Sequence, residues 1–279
     1  MTEPDSEVPF VDSVFHASDF EGESESAFAH ALAIALLRQT KLAILHAGHP
    51  VEEDWERFPA VRETLTRWGL LEPGSPRHDV FRKLSVEVTK VNAQGKPAAA
   101  MTRFITEHEP DLLVLATEGR KGLGRWLHPS VAERVARRTH TMSLFVPKDG
   151  RGFVSPDDGS TSLRRILVPV DRLPDPTRAV VLATRAAEAL GEPPCEITLL
   201  HVGSTHPPAN DYPKGERWRF DERLQPGDVV DTILESGEKA DLIVMATDGR
   251  NGPLDALRGS HTERVVRGAH CPVLAVPVV

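Results

Sequence analysis

A chain of 279 residues carries 41 acidic side chains against 33 Lys and Arg, a net charge of −8. That balance argues against nonspecific binding to nucleic acid or to an anionic membrane, since both need a basic surface, while the length suffices for two domains, each with its own core. The two cysteines, Cys195 and Cys271, show neither a disulfide framework nor metal-ligand spacing. The acidic start MTEPDSEVPF does not resemble a signal peptide and no apolar run approaches a membrane span, so the cytoplasm is the expected compartment.

In chain order, VFHASD at 14–19 reads as a short strand ending in Asp19, and SAFAHALAIALLRQ at 26–39 as a helix. LAILHAG at 42–48 is a second apolar run, ending around His46. DWERFPAVRETLTRWGLL at 54–71 has apolar positions at helical spacing and predicts a helix. Residues 111–140, DLLVLATEGRKGLGRWLHPSVAERVARRTH, pass from a Leu-rich strand through a Gly-containing loop to Ser-x-x-Glu and a basic amphipathic stretch. MSLFVPK at 142–148 is a short closing strand, and KDGRGFVSPDDGSTS at 148–162, mostly Gly, Pro, Ser and Asp, reads as a linker.

The same order then returns. ILVPVD at 166–171 is a strand ending in Asp171, TRAVVLATRAAEALG at 177–191 a helix, and ITLLHVG at 197–203 an apolar run around His201. STHPPANDYPKGERW, Pro-rich, stands as a loop where the first half has its extra helix. DLIVMATDGRNGPLDALRGSHTERVVRGAH at 241–270 aligns with 111–140 without a gap, and CPVLAVP at 271–277 closes the chain's second half. A repeat this long means two copies of one domain rather than a solenoid. The expected boundaries are 1–147 and 163–279, joined by 148–162. Each copy reads β-α-β-(α)-β-α-β-α-β, which specifies a parallel sheet with helices on both faces. In such sheets ligands bind outside the carboxyl ends of the strands, where strand order reverses.

After its fourth strand the second half has Ala246-Thr-Asp-Gly249 and, nine residues on, Gly259-Ser260. Glycine lets backbone N–H groups approach phosphate oxygens, and Gly259-Ser260 opens a helix whose free N–H groups and dipole favour an anion. Together with Asp19 and Asp171, LLHV at 199–202 and CPVLAVP, this resembles the universal stress protein family, whose nucleotide-binding members carry Gly-x2-Gly-x9-Gly-Ser/Thr after the fourth strand. The resemblance covers nearly the whole chain and implies an α/β fold of two tandem Rossmann-like, adenine-nucleotide α-hydrolase-like domains, each a five-stranded parallel sheet. It also implies that the closing strands pair to make an internal pseudo-dimer, to which a further homodimer could be added.

The resemblance implies a nucleotide site in the second half, for ATP with Mg²⁺. Asp171 would lie near the ribose hydroxyls, the Val202 backbone would meet the adenine, and Pro169, Val170 and Met245 would line that pocket. Ala246, Gly249, Gly259 and Ser260, followed by His261 and Thr262, would surround the phosphates. Ala246 replaces the motif's first Gly, and Asp248 puts a carboxylate in the loop. The first half departs further, with Pro129 in place of Gly259 and Glu118 repeating the acid, so it reads as a degenerate copy kept for packing.

Structural readings stand beside these. Ser260 with Glu263, and Ser130 with Glu133, also fit a capping box, which satisfies helix N–H groups without a ligand. Asp171 fits an ordinary turn, and the apolar residues fit strand-end core. His46 and His201 read as strand-end residues, and Cys271 as a packed thiol. No nucleophile pairs with a base, and the loop lacks a Walker lysine. The expected function is therefore a stress-response module that binds nucleotide without catalysis. A nucleotide-free adaptor is the alternative; an adenylyl-transfer or nucleotide-hydrolysing enzyme ranks below both.

Overall fold

The computed structural model describes residues 11–18, 25–48, 58–117, 141–205, 212–247 and 261–278. In the first half these form β1 (Ser13–Ala17), α1 (Glu25–Arg38), β2 (Lys41–Gly48), α2 (Val61–Arg67), α3 (His78–Leu84), β3 (Glu87–Gln94), α4 (Pro97–His108), β4 (Leu112–Thr117) and β5 (Met142–Pro147). In the second they form β6 (Leu163–Pro169), α5 (Thr177–Leu190), β7 (Gly191–Val202), β8 (Trp218–Gln225), α6 (Val229–Gly237), β9 (Leu242–Thr247), α7 (His261–Gly268) and β10 (Val273–Pro277). All ten strands join one sheet in the order β3-β2-β1-β4-β5-β10-β9-β6-β7-β8. Every neighbouring pair is parallel except β5 and β10, which run antiparallel with Val273 opposite Phe145.

The strand sequences explain these positions. Central strands such as β4, β5 and β10 are almost wholly buried runs of Leu, Val and Phe, as strands covered on both faces must be. The outer strands are polar: β3 is EVTKVNAQ and β8 is WRFDERLQ, and charges on an edge discourage pairing with another chain. Alternation then sorts side chains between faces. Ile166 and Val168 pack with Ala179, Val180 and Ala183 of α5 in one core, whereas Leu167 packs with Val230 and Ile233 of α6 and Val265 and Val266 of α7 in the other. Each core continues into the first half, through α1 on one face and α4 on the other.

Local chemistry sets the helix ends. Pro97 opens α4, where its missing N–H costs nothing. The Asp228 carboxylate caps α6 by accepting from Val230 N–H (3.0 Å) and Asp231 N–H (3.1 Å). The helix predicted over 54–71 is shorter in its described part: α2 ends at Arg67, and Gly69, at φ +72°, turns the chain away. α3 has no counterpart in the sequence reading. Between β7 and β8 the described residues contain no helix, matching the loop expected there.

Several hydrogen bonds occur once in each half. Asp111 Oδ2 accepts from Asp12 N–H (3.0 Å) and Ser13 Oγ (2.9 Å), and Asp241 Oδ2 accepts from Arg164 N–H (3.0 Å) and Arg165 N–H (2.9 Å). Ser18 N–H donates to Leu45 O and Val170 N–H to Leu200 O. Lys148 N–H donates to Thr117 O, and Val278 N–H to Thr247 O.

Residues 148–162 connect the halves and are also packed. Phe153 and Val154 are buried against α1, and Val154 makes an antiparallel bridge with Thr161. Their N–H groups donate to Nε2 of His30 at 3.1 and 3.3 Å, while His30 Nδ1 donates to Ser26 O at 2.7 Å. Two N–H donors on Nε2 fix the neutral, Nδ1-protonated tautomer. Burial pushes the pKa of this ring from 6.5 down to about 4. Trp68 Nε1 and Arg67 Nη2 both donate to Pro156 O at 2.9 Å. Gly159, at φ +72°, sits so close to the Trp68 ring that a Cβ would come within 2.5 Å of it.

Candidate functional site

β6 and β9 lie side by side at the centre of the second half, and their crossovers leave on opposite faces: α5 after β6 on one, α6 before β9 on the other. Strand order therefore reverses between them, which is where a doubly wound sheet opens a crevice. The ladder is short there. β6 pairs with β9 only at Ile166↔Leu242 and Leu167↔Ile243, although β6 follows β7 as far as Pro169↔Leu200 and β9 follows β10 to Pro277↔Thr247. Ladder pairing between the two strands stops at Leu167 and Ile243, so the segments 168–171 and 244–247 run on unpaired with each other. Pro169, half-buried, has no N–H to extend the ladder.

Asp171 stands at the top of β6 with an exposed carboxylate, its Oδ1 accepting from Arg172 N–H at 2.7 Å. His201 approaches that oxygen at 4.0 Å, but its Nδ1 bonds the Val170 carbonyl at 2.9 Å, so Nδ1 carries the proton. The first half repeats this bond between His46 Nδ1 and Ser18 O, also at 2.9 Å. The recurring histidine thus braces the backbone just before the first-strand aspartate.

The apolar candidates divide between the faces. Val170 is buried in the α5-side core and Met245 in the α6–α7 core; Ala246 packs against the former and Val202 against the latter. Val202 and Ala246 are half-buried at the ends of β7 and β9. His261, exposed, and Thr262, half-buried, begin α7. Gly249, Gly259, Ser260 and Asp248, and in the first half Asp19, Glu118, Pro129 and Ser130, lie outside the described residues. The structure thus gathers Pro169, Val170, Asp171, Val202, Met245 and Ala246 at one end of three adjacent strands.

The sequence reading passed over Arg178, in the first turn of α5. Its Nη1 donates to the Pro277 carbonyl at 2.9 Å, reaching the carboxyl end of β10. A basic residue two positions after Pro176 is an ordinary helix-surface pattern, so only the fold reveals where it goes. The cysteines carry no site: burial pushes Cys195 up to about 11 and Cys271 up to about 12, so both are neutral thiols. Among the described residues no cluster of three His, Cys, Asp or Glu could hold a metal ion, and no helix is long and apolar enough to cross a membrane.

A mostly parallel sheet whose strand order reverses between β6 and β9, with helices on both faces, is a doubly wound α/β architecture. The universal stress protein family matches residues 13–147 and 210–277, and the chain belongs to that family. A universal stress protein of Methanocaldococcus jannaschii is 45% identical over 65 residues, which is 22% of this chain and 38% of that protein. One from Thermus aquaticus is 45% identical over 60 residues, 21% of this chain and 44% of that protein. The matched stretches thus span less than half the length of these relatives. The crystal structure of a universal stress protein from Archaeoglobus fulgidus aligns over 96% of this chain and 97% of its own, with 16% identity and a TM-score of 0.63, a likeness of fold.

Proposed function

We propose that this chain is a tandem universal stress protein, residues 1–147 and 163–279 forming an internal pseudo-dimer, that binds ATP or a related adenine nucleotide in its second half and acts as a regulatory binding module in the cytoplasm, without catalysis. The observation that carries the nucleotide reading is the parting of β6 and β9 beside an exposed Asp171. A carboxylate at a strand end can accept both ribose hydroxyls, and the half-buried end of β7 at Val202 offers backbone groups to a base. Gly249, Gly259 and Ser260 supply the phosphate loop by their spacing, with His261 and Thr262 opening the helix that follows. Mg²⁺ would offset the charge of Asp248 facing a triphosphate. The pseudo-dimer reading is supported by the antiparallel β5–β10 pairing and by the hydrogen bonds that recur in both halves.

The nucleotide-free adaptor is the second reading, favoured by the burial of Val170 and Met245 in separate cores. Calorimetric titration with Mg·ATP decides between them. Binding by the wild-type chain, lost in Gly259→Pro and unchanged in Pro129→Gly, is the expected result. No binding at millimolar ATP would leave the adaptor.

A further inference from the structure

The geometry points to Arg178 as the residue that selects the charged phosphate tail of a nucleotide at the β6–β9 crevice, an inference that rests on the nucleotide reading above. Three observations carry it. Arg178 is exposed in the first turn of α5, the helix that leaves β6 directly after Asp171 and its loop, so it starts at the carboxyl edge of the sheet. Its guanidinium crosses that edge to the carbonyl of Pro277, and Pro277 is in register with Thr247, the last residue of β9 before Asp248. The cation is therefore fixed one strand spacing from Thr247, the last described residue of β9.

That bond uses a single N–H. A guanidinium has five, in a planar fork that matches two phosphate oxygens, and a bond to a neutral carbonyl leaves its charge uncompensated. Among the described residues no carboxylate pairs with Arg178. Asp175, its nearest acid in sequence, accepts instead from Thr177 N–H (2.9 Å) and Thr177 Oγ1 (2.7 Å), bonds that hold its pKa below the usual carboxylate range. In a chain of net charge −8, an arginine with no carboxylate partner among the described residues, held at the carboxyl edge of the sheet, suits a polyanion. The first half lacks it: the aligned position in α1 is Ser26, whose carbonyl accepts from His30. The cation thus belongs to the half that also keeps the glycines.

The test is calorimetric titration of the full chain with adenosine, AMP and Mg·ATP, for wild type, Arg178→Gln and Arg178→Lys. The expected result is that Arg178→Gln weakens ATP by about tenfold or more and leaves adenosine unchanged, because charge-assisted hydrogen bonds are lost only where phosphates are present. Arg178→Lys should lie between, keeping the charge without the fork. Equal weakening of adenosine and ATP would overturn the proposal, making Arg178 a strap between α5 and β10, and so would unchanged ATP affinity in Arg178→Gln. A thermal melt of each variant identifies a folding defect, and the order of Gln, Lys and wild type in the ratio of ATP to adenosine affinity still decides among the folded fraction. If wild type binds neither adenosine nor ATP, the nucleotide reading itself fails and takes this inference with it.

Discussion

In the second half β6 and β9 separate after Leu167↔Ile243, whereas in the first half β1 and β4 stay paired one rung further, to His16↔Val114. The residue at that extra rung is His16, fully buried, with Nδ1 bonded to the Val114 carbonyl at 3.1 Å; its counterpart is Val168. The same helix position is treated oppositely as well. His30 of α1 is a buried polar clamp on Phe153 and Val154, and its counterpart in α5, Leu182, is simple core. The first half has histidines that tie main chain together where the second has apolar residues, and the second has a strand pairing one rung shorter beside an exposed acid.

Breaking the clamp should have the largest effect. His30→Leu copies the second half's residue but strands two buried N–H groups, those of Phe153 and Val154, and it should cost about 3–5 kcal/mol in urea unfolding, from a penalty of about 1–3 kcal/mol per unsatisfied group. A loss below about 1 kcal/mol would mean that residues 148–162 hold themselves in place.

The same ring makes the first half acid-sensitive. Its folded pKa, about 4, lies below the ordinary 6.5, so between those values the unfolded chain binds a proton that the folded protein excludes. Stability contributed by the neutral ring is intact above pH 6.5 and falls as pH drops toward 4, by on the order of 3 kcal/mol. Unfolding free energies at pH 7 and pH 4.5 should show this slope in wild type and a shallower one in His30→Leu. Parallel slopes would assign the acid sensitivity to carboxylates instead.

Sequence exposed the scaffold well and the clamp hardly at all. Central strands announce themselves because burial on both faces demands unbroken runs such as LLVLA and VLAV, and the gap-free repeat aligns the two copies. β3 and β8 were legible only as places in the topology, since an edge strand carries charges where a core strand carries apolar residues. The 148–162 segment reads as a linker because turn residues dominate it. Phe153 and Val154 are too few to announce a core contact, and the partner they need, His30, lies far away in sequence. The proposed site is half legible: the motif points to Asp171, Val202 and Ala246, while the parting of β6 and β9 and the reach of Arg178 depend on register that no local pattern encodes.

A smaller effect should distinguish the two aspartates before the fourth strands. Asp241 accepts from two backbone N–H groups and is also within 3.1 Å of Arg165 Nη2, with its side chain mostly buried; Asp111 accepts from one N–H and one hydroxyl and is exposed. Asp241→Ala should therefore cost about 2 kcal/mol and Asp111→Ala about 1 kcal/mol, as for capping carboxylates. The reverse order in urea unfolding would mean that solvent replaces the Asp241 bonds more readily than burial suggests.

The smallest effect separates shared architecture from specialised function. His46 and His201 make the same bond, Nδ1 to the carbonyl before the first-strand aspartate, at the same 2.9 Å. Replacing either with Ala should cost about 1 kcal/mol, the usual net worth of one such hydrogen bond, and the two losses should agree within about 0.5 kcal/mol. Binding should not be symmetric. The carbonyl that His201 holds belongs to Val170, and Asp171 follows it directly, so on the proposed reading loosening that turn misplaces the carboxylate that would meet a ribose. The carbonyl that His46 holds, that of Ser18, lies in a half whose sequence has Pro129 in place of Gly259. Mg·ATP titration should accordingly weaken with His201→Ala and stay unchanged with His46→Ala. Equal weakening would mean that both halves contribute to one ligand, and the division of labour between the copies would have to be redrawn.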